Sequence, residues 1–366
     1  MAGLFKDRFN RESLSKLAVE IRAVYDAFPV EEFLNSTMGE TWESLEFKQR
    51  VMQISTNLGK YLPQDYKTAI HIIDDVILNY DVCLDGFVIF FPGFVELYGQ
   101  DKENWEVSMA ALARYTRYAS AEFAVRSFII NDEERMMAQM AIWAKDDNEH
   151  IRRLASEGCR PRLPWGQVLP HFQKDPSPVL RILEQLKADP SPYVRKSVAN
   201  NLNDISKTHP ALVEEIAGRW YGKDVRTDWI VKHGCRTLLK KGNTAVLALF
   251  GFAEAGCVKV AGFSLATPSV SLGGSMIFSF EIEAKKATKV RLEYGIDYVK
   301  ANGKRNRKIF QISELTFKDN GKKSYTKAHS FAEVSTRKHY PGLHSVTLIV
   351  NGTERGTLDF EVLVAK

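Results

Sequence analysis

The stretch from Asp146 to Trp165, DDNEHIRRLASEGCRPRLPW, decides the fold of the longer part of the chain. Its first half is written as a helix. Asn148 is a favoured N-cap, because its short side chain can accept the free N–H groups of the first turn. Ile151, Leu154 and Ala155 then recur at helical spacing. Three other segments begin the same way, with an apolar residue followed by a base: EFAVR (122–126), SPYVR (191–195) and DWIVK (228–232). Their predicted helices continue with Val194, Val198, Leu202 and Ile205, and with Val231, Cys235 and Leu238. A further apolar helix precedes some of them, as in ERMMAQMAIWAK (134–145) and VLRILEQLKAD (179–189). A helix, a turn with Asp-Asp or Asp-Pro, and a second helix make a HEAT-like repeat. Stacked, such pairs form an all-α solenoid whose second helices line the concave face.

The second half of the stretch breaks the period. The step from Arg152 to Arg195 is longer than its neighbours, and the excess is CRPRLPWGQVLPHFQ (159–173). This reads as a loop inserted at one rung, carrying Arg160, Arg162 and Trp165. Loops mounted on a rigid scaffold are where function concentrates. The alternative is that Trp165 covers a repeat edge and the prolines stiffen a connection.

Charge and pattern change near residue 256. Residues 257–366 carry 18 Lys and Arg against 10 Asp and Glu, whereas residues 1–256 carry 32 against 35, and all six tryptophans lie in the first part. In SVSLGGSMIFSFEIEA (269–284), Phe278, Phe280 and Ile282 alternate with Ser279, Glu281 and Glu283 after a Gly-Gly turn. HSVTLIVNGTERGTLDFEVLV (344–364) places two strand-like runs around Asn351-Gly352, a hairpin signal. Two domains follow: a helical-repeat domain over 1–256, and a small antiparallel all-β sandwich over 257–366. The basic surplus of the second domain suits a polyanion.

Other classes lose support. The most apolar stretch, FVIFFPGFVELYG (87–99), is too short to span a bilayer and contains Pro92. The first residues, MAGLFKDRFNRESLSK, lack the apolar core of a signal peptide, so the expectation is a cytoplasmic, bacterial protein. Cys83, Cys159, Cys235 and Cys257 are too far apart for a CxxC motif and read as reduced, half-buried thiols. The eight histidines are scattered, so neither a metal nor a cofactor is expected. No P-loop or GxSxG motif is present.

One residue departs from the repeat. Three positions before the Val or Ile of each segment stand Glu122, Asn148, Ser191 and Asp228. Three are good caps, but glutamate is a poor one. Ser120 can cap instead, leaving Glu122 in the first turn, where the helix dipole favours its charge. The plain alternative is an i,i+4 pair with Arg126. A carboxylate inside a basic groove opposes phosphate binding and needs a reason. Cleavage of an N-glycosidic bond supplies one, because the sugar becomes an oxocarbenium-like cation that a fixed carboxylate stabilises. A base already cationic through alkylation needs no general acid to leave.

At these residues the chain resembles the DNA alkylation repair glycosylases built from HEAT-like repeats, the AlkC/AlkD superfamily. The matches are ASAEFAVRSFI (119–129), WAKDDNEHIRRLASEGCRPRLPW (143–165) and DPSPYVRKSVANNLNDISKTHPALV (189–213). The arginine-rich loop ending in Trp165 is similar to the AlkC branch, as is an added C-terminal immunoglobulin-like domain. The resemblance implies a monofunctional DNA glycosylase that excises 3-methyladenine and 3-methylcytosine from double-stranded DNA without base flipping. It implies Glu122 as the catalytic carboxylate, Arg152 as a backbone-contacting arginine, and Trp165 and Arg162 facing the lesion or its deoxyribose. Asn200 stands where the AlkD branch has a tryptophan. Asp204 is either a second carboxylate for sugar or water, or a surface aspartate.

Phosphate contacts are expected from Arg126, Arg160, Arg195, Lys232, Arg236, Lys240 and Lys241. The basic segment KANGKRNRKIF (300–310), with Lys300, Lys304, Arg305, Arg307 and Lys308, either touches DNA or is a solubilising hairpin tip. The protein is expected to act as a monomer. The competing reading is a non-catalytic HEAT-repeat scaffold that binds DNA or protein, and a third is a catalytically weak relative that senses DNA structure. The scaffold reading explains the repeats but neither Glu122 nor the inserted loop.

Overall fold

The computed structural model describes residues 5–79, 87–252, 255–333 and 338–364, and Cys83 lies outside them. Among the described residues, sixteen α-helices precede eight β-strands. The chain packs into two compact units, one of Met1–His209 with Gly222–Gly234, the other of Pro210–Tyr221 with Cys235–Lys366. The helix-to-strand change falls after helix Thr244–Leu249, so division by packing runs differently from division by secondary structure. Three helices join the strand-rich unit because they pack within it. Lys289 Nζ, for instance, donates to the Phe250 carbonyl at 2.7 Å.

In the first unit the helix starts follow their caps. Asn148 Oδ1 accepts the His150 N–H at 2.9 Å and opens helix Glu149–Gly158. Ser191 Oγ accepts the Tyr193 N–H at 3.2 Å and opens helix Pro192–Ile205, with proline in the first turn where its missing N–H is harmless. Ile151, Leu154, Ala155, Val194, Val198 and Leu202 are buried as their spacing predicts. Each large apolar side chain so buried contributes about 1.5–3 kcal/mol. Helix Glu149–Gly158 packs on Pro192–Ile205, which packs in turn on Val225–Gly234, so second helices of successive pairs stack in series.

Asp228 corrects one expectation. It lies inside helix Val225–Gly234 rather than before it, and accepts the Gly222 N–H at 2.6 Å. Asp224 caps this helix, accepting the Arg226 N–H at 2.8 Å. With Asp224 as the cap, four residues upstream, the helix starts earlier than expected.

The second unit holds β1 (Val258–Leu265), β2 (Ser269–Ser271), β3 (Ser275–Ala284), β4 (Thr288–Val299), β5 (Arg305–Phe317), β6 (Gly321–Ser330), β7 (Gly342–Val350) and β8 (Thr353–Leu363). They form a three-stranded sheet, β1-β3-β6, and a five-stranded sheet, β2-β8-β7-β4-β5. Phe278, Phe280 and Ile282 of β3 meet Leu292, Ile296, Val346 and Leu348 in a common core, so this is a two-sheet sandwich. The antiparallel expectation fails at β2, which pairs parallel to β8.

The β7–β8 turn forms at Asn351 (φ 47°) and Gly352 (φ 76°), as the Asn-Gly signal predicts. A Cβ at Gly352 would lie 2.4 Å from the Gly242 Cα. Gly352→Ala therefore meets both a left-handed backbone and another chain segment. It is expected to cost about 2 kcal/mol, read as a lower urea midpoint at unchanged slope. An unchanged midpoint would show that this contact is slack.

Candidate active site

Glu122 sits in the turn that leads into helix Val125–Asn131. Ser120 Oγ accepts the Glu122 backbone N–H at 3.3 Å and donates to Glu122 Oε2 at 2.9 Å. Ser120 does not cap the helix, whose N-cap position is Ala124 with no side-chain bond, and Glu122 lies in the turn before it rather than in its first turn. The Ser120 hydroxyl instead orients the carboxylate. Arg153 donates from Nη1 to Ser120 Oγ at 2.6 Å and ion-pairs with Glu122 Oε2. The i,i+4 pair with Arg126 does not form.

From Arg153 the charges alternate inward. Arg153 Nη2 lies 3.5 Å from Glu157 Oε1, and Arg160 Nη1 donates to that oxygen at 2.6 Å. Ser197 Oγ donates to the other Glu157 oxygen at 2.6 Å. Arg160 reaches Asp204 through Nε at 2.9 Å and Nη2 at 2.8 Å, and Lys207 Nζ lies 2.8 Å from Asp204. Three carboxylates and three cations thus form one formally neutral chain. A buried charge is tolerable only when paired in this way. Side-chain exposure decides which carboxylate can act on a ligand: 15% for Glu122, 7% for Glu157 and 2% for Asp204. Glu122 is the outer end. Burial weakens the Arg153 charge, but Glu122 and Glu157 outweigh it and hold its pKa above the usual value.

Three arginines in and beneath the inserted loop take different roles. Arg126, expected at a phosphate, is instead 1% exposed. Its Nη1 donates to the carbonyls of Gly158 (2.8 Å) and Arg160 (2.9 Å), and its Nε to that of Gln167. An irregular loop leaves carbonyls without ladder partners, and a guanidinium beneath it supplies the missing donors. Burial pushes the Arg126 pKa down to about 10, so it stays cationic at neutral pH. Arg160 is likewise buried in its ion pairs and corrects the same expectation. Arg162 and Trp165 are exposed, as are Pro164, Gln167 and Val168 of the same loop. Trp165 is 72% exposed at φ 61°, with its ring centroid 6.2 Å from that of Phe47.

Arg152 and Arg195, both half-buried, have partners within the chain. Arg152 donates to the carbonyls of Asp146 and Asp147 at 2.9 and 2.8 Å and forks onto Asp189 at 2.7 and 3.1 Å. Arg195 donates to the carbonyls of Asp189 and Pro190 at 2.8 and 2.7 Å. One rung apart, both arginines tie down the turn before their own helix, so the repeated base is a structural device there. Asp204 is neither of its two expected forms but the buried anchor of Arg160.

The remaining candidates are dispersed. Asn200 is half-buried on helix Pro192–Ile205, and Lys232 is exposed on helix Val225–Gly234. Arg236, Lys240 and Lys241 fall in the strand-rich unit. So does the β4–β5 hairpin tip, where Lys304 is exposed and Arg305 donates to Ser345 Oγ at 2.8 Å. Arg307 forks onto Asp297 at 2.9 and 2.7 Å and pairs with Glu354, which holds it on its own sheet.

Sequence reasoning missed Arg153 and Glu157 as site residues. The signal was present: Glu157 follows Arg153 by four residues and precedes Arg160 by three, the spacing of one helix face. Of the cysteines, Cys159 and Cys235 are fully buried and Cys257 is exposed, rather than all half-buried. Among the described residues no group of three or more His, Cys, Asp or Glu is placed to hold a metal, and no helix is long and apolar enough to cross a membrane.

Residues 102–237 match the family model described as DNA alkylation repair enzyme, and residues 259–364 match that of the C-terminal Ig-like domain of the uncharacterised protein YhaZ. The YhaZ protein of Bacillus subtilis (strain 168), itself uncharacterised, is 46% identical over 98% of this chain and 99% of its own. The Pseudomonas fluorescens alkylpurine DNA glycosylase AlkC, solved bound to DNA containing an abasic site analog, is 38% identical. It superposes with a TM-score of 0.93 over 98% of this chain and 99% of its own.

Proposed function

The chain belongs to the AlkC-type DNA alkylation repair enzymes, and from that premise we propose that it is a monofunctional glycosylase for cationic, N3-methylated bases. The observation that carries this reading is Glu122, the most exposed carboxylate of the charge chain, held by Ser120 and Arg153 at its end.

The chemistry follows from that placement. As the C1′–N bond of an alkylated base breaks, both electrons leave with the base and neutralise its charge. Positive charge develops over C1′ and O4′ of the sugar. Glu122 stabilises it and orients the water whose oxygen bonds to C1′, the water's proton passing to the carboxylate or to solvent. Both described side-chain contacts of Glu122 fall on Oε2, so the carboxylate is fixed before substrate arrives. Such preorganisation serves a reaction and is superfluous in a scaffold that only binds.

The cavity beside the Glu122 turn, lined by Ser120, Phe123, Lys48 and Met52 among others, measures about 70 Å³, too small for a base. This supports excision with the base left in the helix, the protein gripping sugar and phosphates, with Trp165 and Arg162 as the groups nearest the lesion. Lys232, Lys304 and Arg305 are proposed as further phosphate contacts, with the protein acting as a monomer and without a cofactor.

Three duplexes, each carrying one 3-methyladenine, 3-methylcytosine or 7-methylguanine, test the substrate class. Release of the two N3-methylated bases and retention of 7-methylguanine is expected. Release of 7-methylguanine alone, or of nothing, would overturn it. Arg162→Ala is expected to lower the slope of log affinity against log salt by about one, and an unchanged slope would remove Arg162 from the phosphate contacts.

A further inference from the structure

Trp165 has a backbone that needs explaining. Its φ of 61° is left-handed, a region that bulky L-residues avoid unless their surroundings hold them there. The turn supplies one restraint, the Gly166 N–H donating to the Leu163 carbonyl at 3.1 Å. Another comes from a helix 117 residues away in sequence. Lys48, on helix Phe47–Tyr61, donates from Nζ to the Trp165 carbonyl at 2.9 Å. The same ammonium stands over the ring of Phe123, 5.0 Å from its centroid, and Phe123 is the neighbour of Glu122. Phe47 sets its ring 6.2 Å from the indole.

We infer that Lys48 is a positioning residue: its ammonium ties the Trp165 turn to the Glu122–Phe123 turn and so fixes the indole relative to the carboxylate. It lies outside the stretch 102–237 that carries the family match, and it acts through Trp165, not on substrate. A neutral side chain of similar length would keep the packing against Phe123 but release the carbonyl, freeing the turn to leave its left-handed conformation. The consequence for excision rests on the glycosylase reading, but the consequence for Trp165 does not.

The full chain tests this with Lys48→Met and Lys48→Arg, each made also with Trp165→Phe and Trp165→Ala. Acrylamide quenching without DNA, taken as the difference from the Trp165→Phe counterpart, isolates this indole. Its quenching should change in Lys48→Met and return in Lys48→Arg. Single-turnover excision should fall about tenfold in Lys48→Met, with affinity for undamaged duplex within about twofold. With Trp165→Ala present, Lys48→Met should cost nothing further. Unchanged quenching overturns the inference. So does an equal loss in the Trp165→Ala background, or a loss confined to affinity with a shallower salt slope, which would make Lys48 a phosphate contact. If the unmodified protein releases no base, the glycosylase reading fails and quenching alone decides the role of Lys48.

Discussion

Glu122→Gln is expected to slow excision of 3-methyladenine by about a thousandfold, a loss of the size seen when one preorganised electrostatic group is removed, while binding to duplex DNA persists. The substitution keeps the volume of the side chain and an oxygen for Ser120 and Arg153. It removes only the charge that would face the developing sugar cation. Arg153 keeps a carboxylate partner in Glu157, so the fold should hold. Loss of the charge should tighten binding to undamaged duplex slightly, because a negative group near phosphates disappears. Single-turnover rates and equilibrium binding separate the two effects. A rate within tenfold of the unmodified enzyme would remove Glu122 from the chemistry.

The second large effect is on stability. Arg126→Met is expected to destabilise the helical unit by about 3–4 kcal/mol, the range for removing one member of a buried, hydrogen-bonded charge system. The guanidinium serves three carbonyls, of Gly158, Arg160 and Gln167, and methionine fills similar space without serving any of them. Urea unfolding followed by circular dichroism measures the change. The contrast with an arginine at a phosphate is sharp. A DNA contact would leave the unfolding midpoint in place and lower only affinity and its salt slope. A midpoint unchanged within error would return Arg126 to the DNA surface.

Much of the fold was legible because its signals are local. Caps at Asn148 and Ser191, the spacing of Ile151, Leu154 and Ala155, and the Asn351-Gly352 turn each depend on a few consecutive residues. The start of helix Val225–Gly234 was misplaced because Asp224 and Asp228 are both acceptable caps, and choosing between them needs the Gly222 contact. The parallel pairing of β2 with β8 joins segments far apart in sequence, which no local pattern records.

The site was legible in one respect and opaque in another. Glu122 stood out because it broke a repeat of good caps. The arginines could not be sorted, since a guanidinium under a loop and one facing DNA are the same letter. What separates them is whether unpaired carbonyls lie within reach. At Arg126 they come from Gly158, Arg160 and Gln167, all across an insertion. At Arg152 and Arg195 they come from the turn five and six residues earlier. That second pattern occurs twice at the same spacing and can be sought in other repeats. Arg153 went unassigned because its partners, Ser120 and Glu122, belong to the preceding helix pair.

The most direct test of the central claim uses one substrate and two proteins. Duplex DNA treated with dimethyl sulfate is incubated with the unmodified chain and with Glu122→Gln, and the free bases released are identified by mass spectrometry. Release of 3-methyladenine by the unmodified chain, with none above background from Glu122→Gln, is the predicted result. No release by either protein, or equal release by both, would contradict it.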